Sequence, residues 1–290
     1  MWNLVDKVFR VLATGSAFLL FWWGGAFLTW FVLPVIQFRH HRQPIDAMRR
    51  CRSMLNRSLR LHADYMRFFG LIEFDSRAVE RQLPGGGFVM VANHPSLIDV
   101  VLLLATYPTL YCVVKGPVMR SFFVGRMLRY CNHIDAGDGE ASAGAAVVQG
   151  AIERLQAGDP VLIFPEGTRS PMDGIGQFKK GAFAIARAAD VPVLPIQIAC
   201  TPRGLMRGMK WYVVPNGTMR YTFKLFEPLS PRIHGGNASA MANDVRAMFL
   251  EHLPKPTVTS IEPAMEPPSR ILPPDSFDAD AQHPAFRLRA

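Results

Sequence analysis

The chain has 290 residues, 49% of them hydrophobic, and 32 Lys and Arg outnumber 23 Asp and Glu for a net charge of +9. That length allows one large domain or two small ones with a packed core, and the basic balance favours an anionic partner, either nucleic acid or a membrane surface. Cys51, Cys112, Cys131 and Cys200 are scattered and form no CxxC pair. Neither a disulfide framework nor a zinc site is suggested, a reducing compartment fits, and the lack of a 20–50-residue period argues against a solenoid.

Residues 11–38, "VLATGSAFLLFWWGGAFLTWFVLPVIQF", carry no charge. As a helix they would reach about 42 Å, more than the roughly 30 Å hydrocarbon core of a bilayer. A cleaved signal peptide fits poorly, because the stretch is too long and no small-x-small cleavage site follows. Two readings remain: a single span, taken first, or a half-inserted hairpin turning near Gly24 and Gly25. Lys7 and Arg10 precede the stretch and seven arginines lie from Arg39 to Arg60. That distribution puts the remaining chain on the cytoplasmic side of the inner membrane in either case.

Met48, Cys51, Leu55, Leu59, Met66 and Phe69 then recur at helical spacing, with Arg49, Arg50, Arg57 and Arg60 on the remaining surface. A basic amphipathic helix directly after an apolar anchor is expected to lie on anionic headgroups; the alternative is a core helix with a solvated basic face. No recognition motif accompanies these arginines, so nucleic acid is not expected as a partner.

Across 71–253 the pattern alternates. "GFVMVA", "TLYCVVK", "PVLIFP" and "VPVLPIQIA" read as strands; "SLIDVVLLLATY", "GEASAGAAVVQGAIERLQAG" and "FKKGAFAIARAAD" read as helices. This predicts an α/β fold with a mostly parallel sheet flanked by helices. "WYVVPNGTMRYTFKLFEPL" predicts two further strands around a Pro-Asn-Gly turn. From Pro254 onward eight prolines fall in 37 residues, the composition of a disordered tail. The expected domains are 1–70 (anchor and basic helix), 71–253 (catalytic) and 254–290 (tail).

The polar cluster Asn93, His94, Ser96 and Asp99 in "MVANHPSLIDV" interrupts apolar sequence at a strand-to-helix junction, with Pro95 expected to open the helix. Ligands of open α/β sheets bind at such strand ends. A His oriented by an Asp is a general base; the alternative is simple helix capping. The same spacing recurs at His133 and Asp138, but in a glycine-punctuated stretch where no helix opens. In "VLIFPEGTRSP" a second strand ends in Glu166, Gly167, Thr168, Arg169 and Ser170. Gly167 allows a tight turn and Arg169 offers a planar fork for phosphate or carboxylate. Lys179 and Lys180 follow in "FKKGAF".

With "NHPSLID", "FPEGTRS" and the proline-bearing "VPVLPI" in this order, residues 88–198 resemble the glycerolipid acyltransferases of the lysophosphatidate acyltransferase type. The resemblance implies transfer of an acyl chain from acyl-CoA or acyl carrier protein to a hydroxyl of a lysolipid, with no metal and no resident cofactor. His94 would be the base and Asp99 its orienter, while Asn93, Lys115, Glu166, Gly167, Thr168 and Arg169 would shape and bind the acceptor. Lys115, Phe123 and Gly125 follow the outline of an intervening block that in the family ends in Ile-Asp-Arg. Here Ile134 and Asp135 match, and Ala136 replaces the arginine. The acceptor is therefore expected to carry less charge than a phosphate monoester, unless Arg126, Lys179 or Lys180 supplies the missing cation. Two rival readings are a catalytically silent lipid-binding or assembly protein on the same fold and an acyl thioesterase.

Overall fold

The computed structural model describes residues 4–75, 83–137 and 141–253. The proline-rich tail 254–290 and Asp138 lie outside them. Seven strands form one sheet in the order β1-β7-β6-β2-β5-β3-β4. They are β1 Ile72–Phe74, β2 Val89–Ala92, β3 Tyr111–Val114, β4 Ile134–Asp135, β5 Val161–Ile163, β6 Val193–Thr201 and β7 Met219–Leu225. All neighbours pair parallel except β6 with β7, so the mostly parallel α/β sheet is as expected.

Strand β2 has no exposed residue because both sheet faces are covered. Met90 and Ala92 join one apolar core; Val89 and Val91, pointing the opposite way, join the other. The first core is completed by helices α1 Leu4–Arg39, α2 Pro44–Phe68 and α3 Asp99–Thr106. The second is completed by α6 Ala141–Gln156, α7 Gly181–Ala189 and α8 Ala238–Glu251. Two short helices, α4 Gly116–Met119 and α5 Val124–Tyr130, follow β3.

Helix α1 is continuous through Gly24 and Gly25, with a π-helical turn at Leu28–Val32 where Thr29 Oγ1 donates to the Gly25 carbonyl at 2.7 Å. The expected alternative of a turn at the two glycines does not occur; the chain reverses later, at 40–43. Helix α2 then returns alongside, with Arg10 bonded to the Gly70 carbonyl, Tyr65 to Ser16, and the His62 ring against Phe21. Ala13, Ala17, Leu28 and Leu33 of α1 are buried, so 1–70 belongs to the same compact unit as the chain through Leu253. The opposite face of α1 exposes Leu12, Leu19, Trp23, Phe27 and Phe31.

Helix α2 departs from its expected place on headgroups. Its apolar stripe, including Cys51, Leu55, Leu59 and Met66, is buried in the core. Asn56 Nδ2 donates to the Leu104 and Ala105 carbonyls, and Arg60 Nε donates to Ala105 at 2.8 Å. These bonds satisfy the otherwise orphaned carbonyls at the end of α3. The expected strand at 211–214 is also absent; that segment is an exposed loop with Trp211 against Phe18 of α1.

Candidate active site

The parallel register sets Met90, Leu162 and Cys112 side by side on β2, β5 and β3. Three residues further on, Asn93, Pro165 and Lys115 therefore leave the same edge of the sheet, on strands about 5 Å apart. Past β2 the chain stays extended through Pro95, turns at 96–98 and becomes helical only at Asp99. The expected helix start at Pro95 is thus four residues early. Asp99 Oδ2 accepts from Ser96 N at 2.7 Å and Oδ1 from Ser96 Oγ at 2.9 Å, so the first helical residue folds back and fixes the turn before it.

His94 Nδ1 lies 2.9 Å from Asp99 Oδ2, and Asp99 is fully buried. Burial pushes the Asp99 carboxyl above its ordinary range, while bonds from His94 and Ser96 draw it back. The His94 ring stacks on Phe164, centroids 4.3 Å apart and planes 24° apart. With Nδ1 given to Asp99, Nε2 has no hydrogen-bond partner among the described residues. A base held on one nitrogen and available on the other can take a hydroxyl proton.

The two motifs are stitched together behind His94. Its backbone N–H donates to Glu166 Oε1 at 3.1 Å and Ser170 Oγ at 3.2 Å, and its carbonyl accepts from Ser170 N at 2.7 Å. Glu166 Oε2 accepts from Gly176 N at 2.7 Å, so this buried carboxylate holds backbone with both oxygens. Asn93 is likewise buried, its amide paired in both directions with Ile198 of β6 at 2.8 and 2.7 Å. Expected as substrate contacts, Asn93 and Glu166 are occupied in locking strand ends around His94. Neither role was visible in the sequence, because Ile198 and Gly176 are remote from their partners along the chain.

Gly167 sits at φ +66°, the conformation its place in the turn requires, and the Lys179 ammonium lies over it, 3.2 Å from where a Cβ would stand. Thr168 is exposed. Arg169 Nη1 donates to the Leu205 and Met206 carbonyls at 3.1 and 3.0 Å, leaving Nε and Nη2 without a hydrogen-bond partner among the described residues. Leu97 N also donates to Leu205, so one loop is fastened to both motifs. Lys115 is exposed beside Ala136, flanked by the Ala136 N to Val114 O bond at 2.7 Å and the Gly116 N to Gly137 O bond at 3.0 Å.

His133 lies at the other end of the sheet. It is buried, accepts from Cys112 N on Nδ1 at 3.0 Å, and its Nε2 has no hydrogen-bond partner among the described residues. Burial, Arg52 and Arg154 push it down to about 3, so it stays neutral.

A parallel α/β sheet carrying a His-Asp pair at one strand end and a Glu-Gly-Thr-Arg turn at the next defines the acyltransferase class. The acyltransferase family model matches residues 73–199. A 1-acyl-sn-glycerol-3-phosphate acyltransferase of Pseudomonas aeruginosa is 30% identical over 191 residues, 65% of this chain and 68% of that one. A chloroplastic 1-acyl-sn-glycerol-3-phosphate acyltransferase of Arabidopsis thaliana is 27% identical over 165 residues, 57% of this chain and 44% of its own length. The chain thus spans under half of that plant relative. The crystal structure of a 1-acyl-sn-glycerophosphate acyltransferase from Thermotoga maritima superposes with a TM-score of 0.62 at 24% identity, covering 85% of this chain and 95% of that one. The chain belongs to the acyltransferase family and has its fold.

Proposed function

We propose that this chain moves an acyl group from a thioester donor, acyl-CoA or acyl carrier protein, to a hydroxyl of a lysolipid with an anionic headgroup. The observation that carries the reading is His94, held by Asp99 on Nδ1 and open on Nε2 at the carboxyl end of β2. The acceptor hydroxyl gives its proton to Nε2 as its oxygen attacks the thioester carbonyl. Asp99 stabilises the imidazolium that forms. The carbon–sulfur bond then breaks, and the departing thiolate takes the proton from His94.

The headgroup falls to cations on the same edge: Arg169 through Nε and Nη2, Lys179 over Gly167, and Lys115 beside Ala136. The names of the relatives point to lysophosphatidate, and Lys115 stands at the corner where the family's arginine is missing. A labelled acyl donor with a panel of lysolipids tests the reading. Acylated lysolipid is expected; labelled fatty acid alone would make the protein a thioesterase, and no turnover would make it a lipid-binding protein.

The same reading places the exposed stripe of α1 in one leaflet of the cytoplasmic membrane, with the sheet on the cytoplasmic side. Helix α1 is long enough to span, yet α2 runs beside it bearing Arg49, Arg50 and Arg57, which do not belong in hydrocarbon. Between α1, α2 and α5 lies a cavity of about 150 Å³ lined by Gly24, Gly25, Leu59, Phe123 and Met127, room for part of an acyl chain. Trp23→Asp with Phe27→Asp, both on the exposed face, should lower vesicle binding about tenfold or more, since two aromatic anchors are lost and an Asp carried into hydrocarbon costs up to about 2.5–3.5 kcal/mol. Unchanged binding would move the attachment elsewhere.

A further inference from the structure

We propose that Tyr221, on the antiparallel strand β7, is a positioning residue of the His94–Asp99 pair and acts through Ser96. Its hydroxyl lies 2.7 Å from Ser96 Oγ, and Ser96 Oγ lies 2.9 Å from Asp99 Oδ1. Tyr221, Ser96 and Asp99 are all buried, at 1%, 0% and 0% exposure, so no water competes for these bonds.

Counting protons fixes the direction of the chain. The Asp99 carboxylate can only accept, and Ser96 has a single hydroxyl proton, which goes to Asp99. Tyr221 must therefore donate to Ser96, whose oxygen also receives the Ile98 N–H at 3.3 Å. The result runs Tyr221 to Ser96 to Asp99, with His94 donating from the opposite side. Each donor in such a chain polarises the next.

The need for the chain follows from Asp99. A buried carboxylate attracts an imidazolium strongly, and without further donors on its oxygens Asp99 would hold His94 protonated instead of free to take a proton and return it to the leaving group. Tyr221 remains a proton donor throughout, because burial and the nearby Asp99 hold its phenol well above the ordinary range. The neighbouring Cys200 thiol, pushed up to about 11 by burial, stays neutral beside it. Strand pairing sets the phenol in place: Tyr221 is opposite Cys200 in the β6–β7 ladder, two strands away from β2. The arrangement couples the antiparallel β6–β7 pairing to the His94–Asp99 pair at the end of the central strand.

The inference rests on the acyl-transfer reading for its kinetics and is tested with one readout that does not need it. Tyr221→Phe keeps the ring and removes only the hydroxyl; Ser96→Ala removes the intermediate. In ¹⁵N-histidine spectra of the full chain, Tyr221→Phe should move the His94 titration midpoint upward, because a carboxylate that has lost a donor holds the imidazolium more strongly. Ser96→Ala should move it further, and Tyr221→Phe added to Ser96→Ala should add nothing. In acyl transfer, Tyr221→Phe should lower kcat about 3- to 10-fold at unchanged acceptor KM, with the acid limb of kcat/KM displaced to higher pH. Equal effects of Tyr221→Phe in both backgrounds, or an unmoved His94 titration, would overturn the relay and leave Tyr221 as core. A moved titration without any acyl transfer would keep the relay and overturn the proposed reaction.

Discussion

Two histidines followed five residues later by Asp stand at opposite ends of one sheet, and their surroundings diverge completely. At the carboxyl end, His94 faces the carboxylate of Asp99, rests on Phe164 and is 18% exposed through its side chain. At the amino end, His133 faces an N–H donor, and two guanidiniums crowd the adjoining Tyr111 ring, Arg52 at 3.9 Å and Arg154 at 5.0 Å. With Nδ1 accepting from Cys112, the His133 proton belongs on Nε2, where no described residue receives it. A second proton has no vacant site and meets positive charge. Partner charge and strand end, not spacing, separate a base from a packed core histidine.

The sharpest way to break that comparison is to exchange the effects of the two residues. His94→Ala should reduce kcat by about 10²–10⁴-fold with the fold intact, since a positioned base typically contributes that much. His133→Asn should leave turnover within a few-fold of wild type while lowering the thermal midpoint. Equal loss of activity from both, at equal stability, would erase the distinction.

Arg169 is the next largest. It fastens the 205–206 loop and, on the proposed reading, offers its remaining N–H groups to the acceptor, so Arg169→Ala should cost about 10–10²-fold in kcat/KM. Arg169→Lys should recover only part, because one ammonium cannot reproduce the fork. Full recovery by lysine would reduce Arg169 to a point charge.

The amino end has its own signature in stability. Below pH 6.5 the unfolded His133 takes a proton that the folded one, at about 3, refuses. Unfolding is therefore favoured as pH falls through that window, by about 1.4 kcal/mol per unit. Denaturant midpoints of wild type and His133→Asn at pH 7 and pH 5 should converge as pH drops, the variant lacking this slope. Parallel pH dependence in the two proteins would show that His133 is charged when folded.

How much of this was legible beforehand differs along the chain. Both motif strands, the parallel sheet and the His94–Asp99 pair follow from local patterns: apolar runs, a strand-to-helix junction and residues five apart. The function of α2 did not, because an amphipathic stripe looks the same whether it meets lipid or the sheet's own helices. Its arginines showed only in the fold that Arg60 caps α3. The loop at 211–214 has the aromatic and β-branched composition of a strand, yet β6 pairs with 219–225 and leaves it no neighbour. Tyr221 and Ser96 are 125 residues apart, a relation no spacing rule can carry.

The smallest expected effect concerns Ala136, where sequence and structure pull in different directions. Loss of the family's arginine argues for an acceptor with less charge than a phosphate monoester. The backbone bonds of Ala136 and Gly137 to β3 and its continuation instead set Lys115 directly alongside, with an ammonium able to serve the same corner. If Lys115 serves, wild type should use lysophosphatidate, and Lys115→Ala should lower its kcat/KM about 5-fold relative to a phosphodiester lysolipid, as expected for one partly solvated contact. Ala136→Arg should then add at most about twofold to wild type but restore most of the loss in Lys115→Ala. If wild type scarcely turns over lysophosphatidate and Ala136→Arg alone raises it several-fold, Lys115 points elsewhere and the natural acceptor carries a lesser charge. Steady-state kinetics on the two lysolipids, with four proteins, separates these outcomes because only the first predicts rescue without gain.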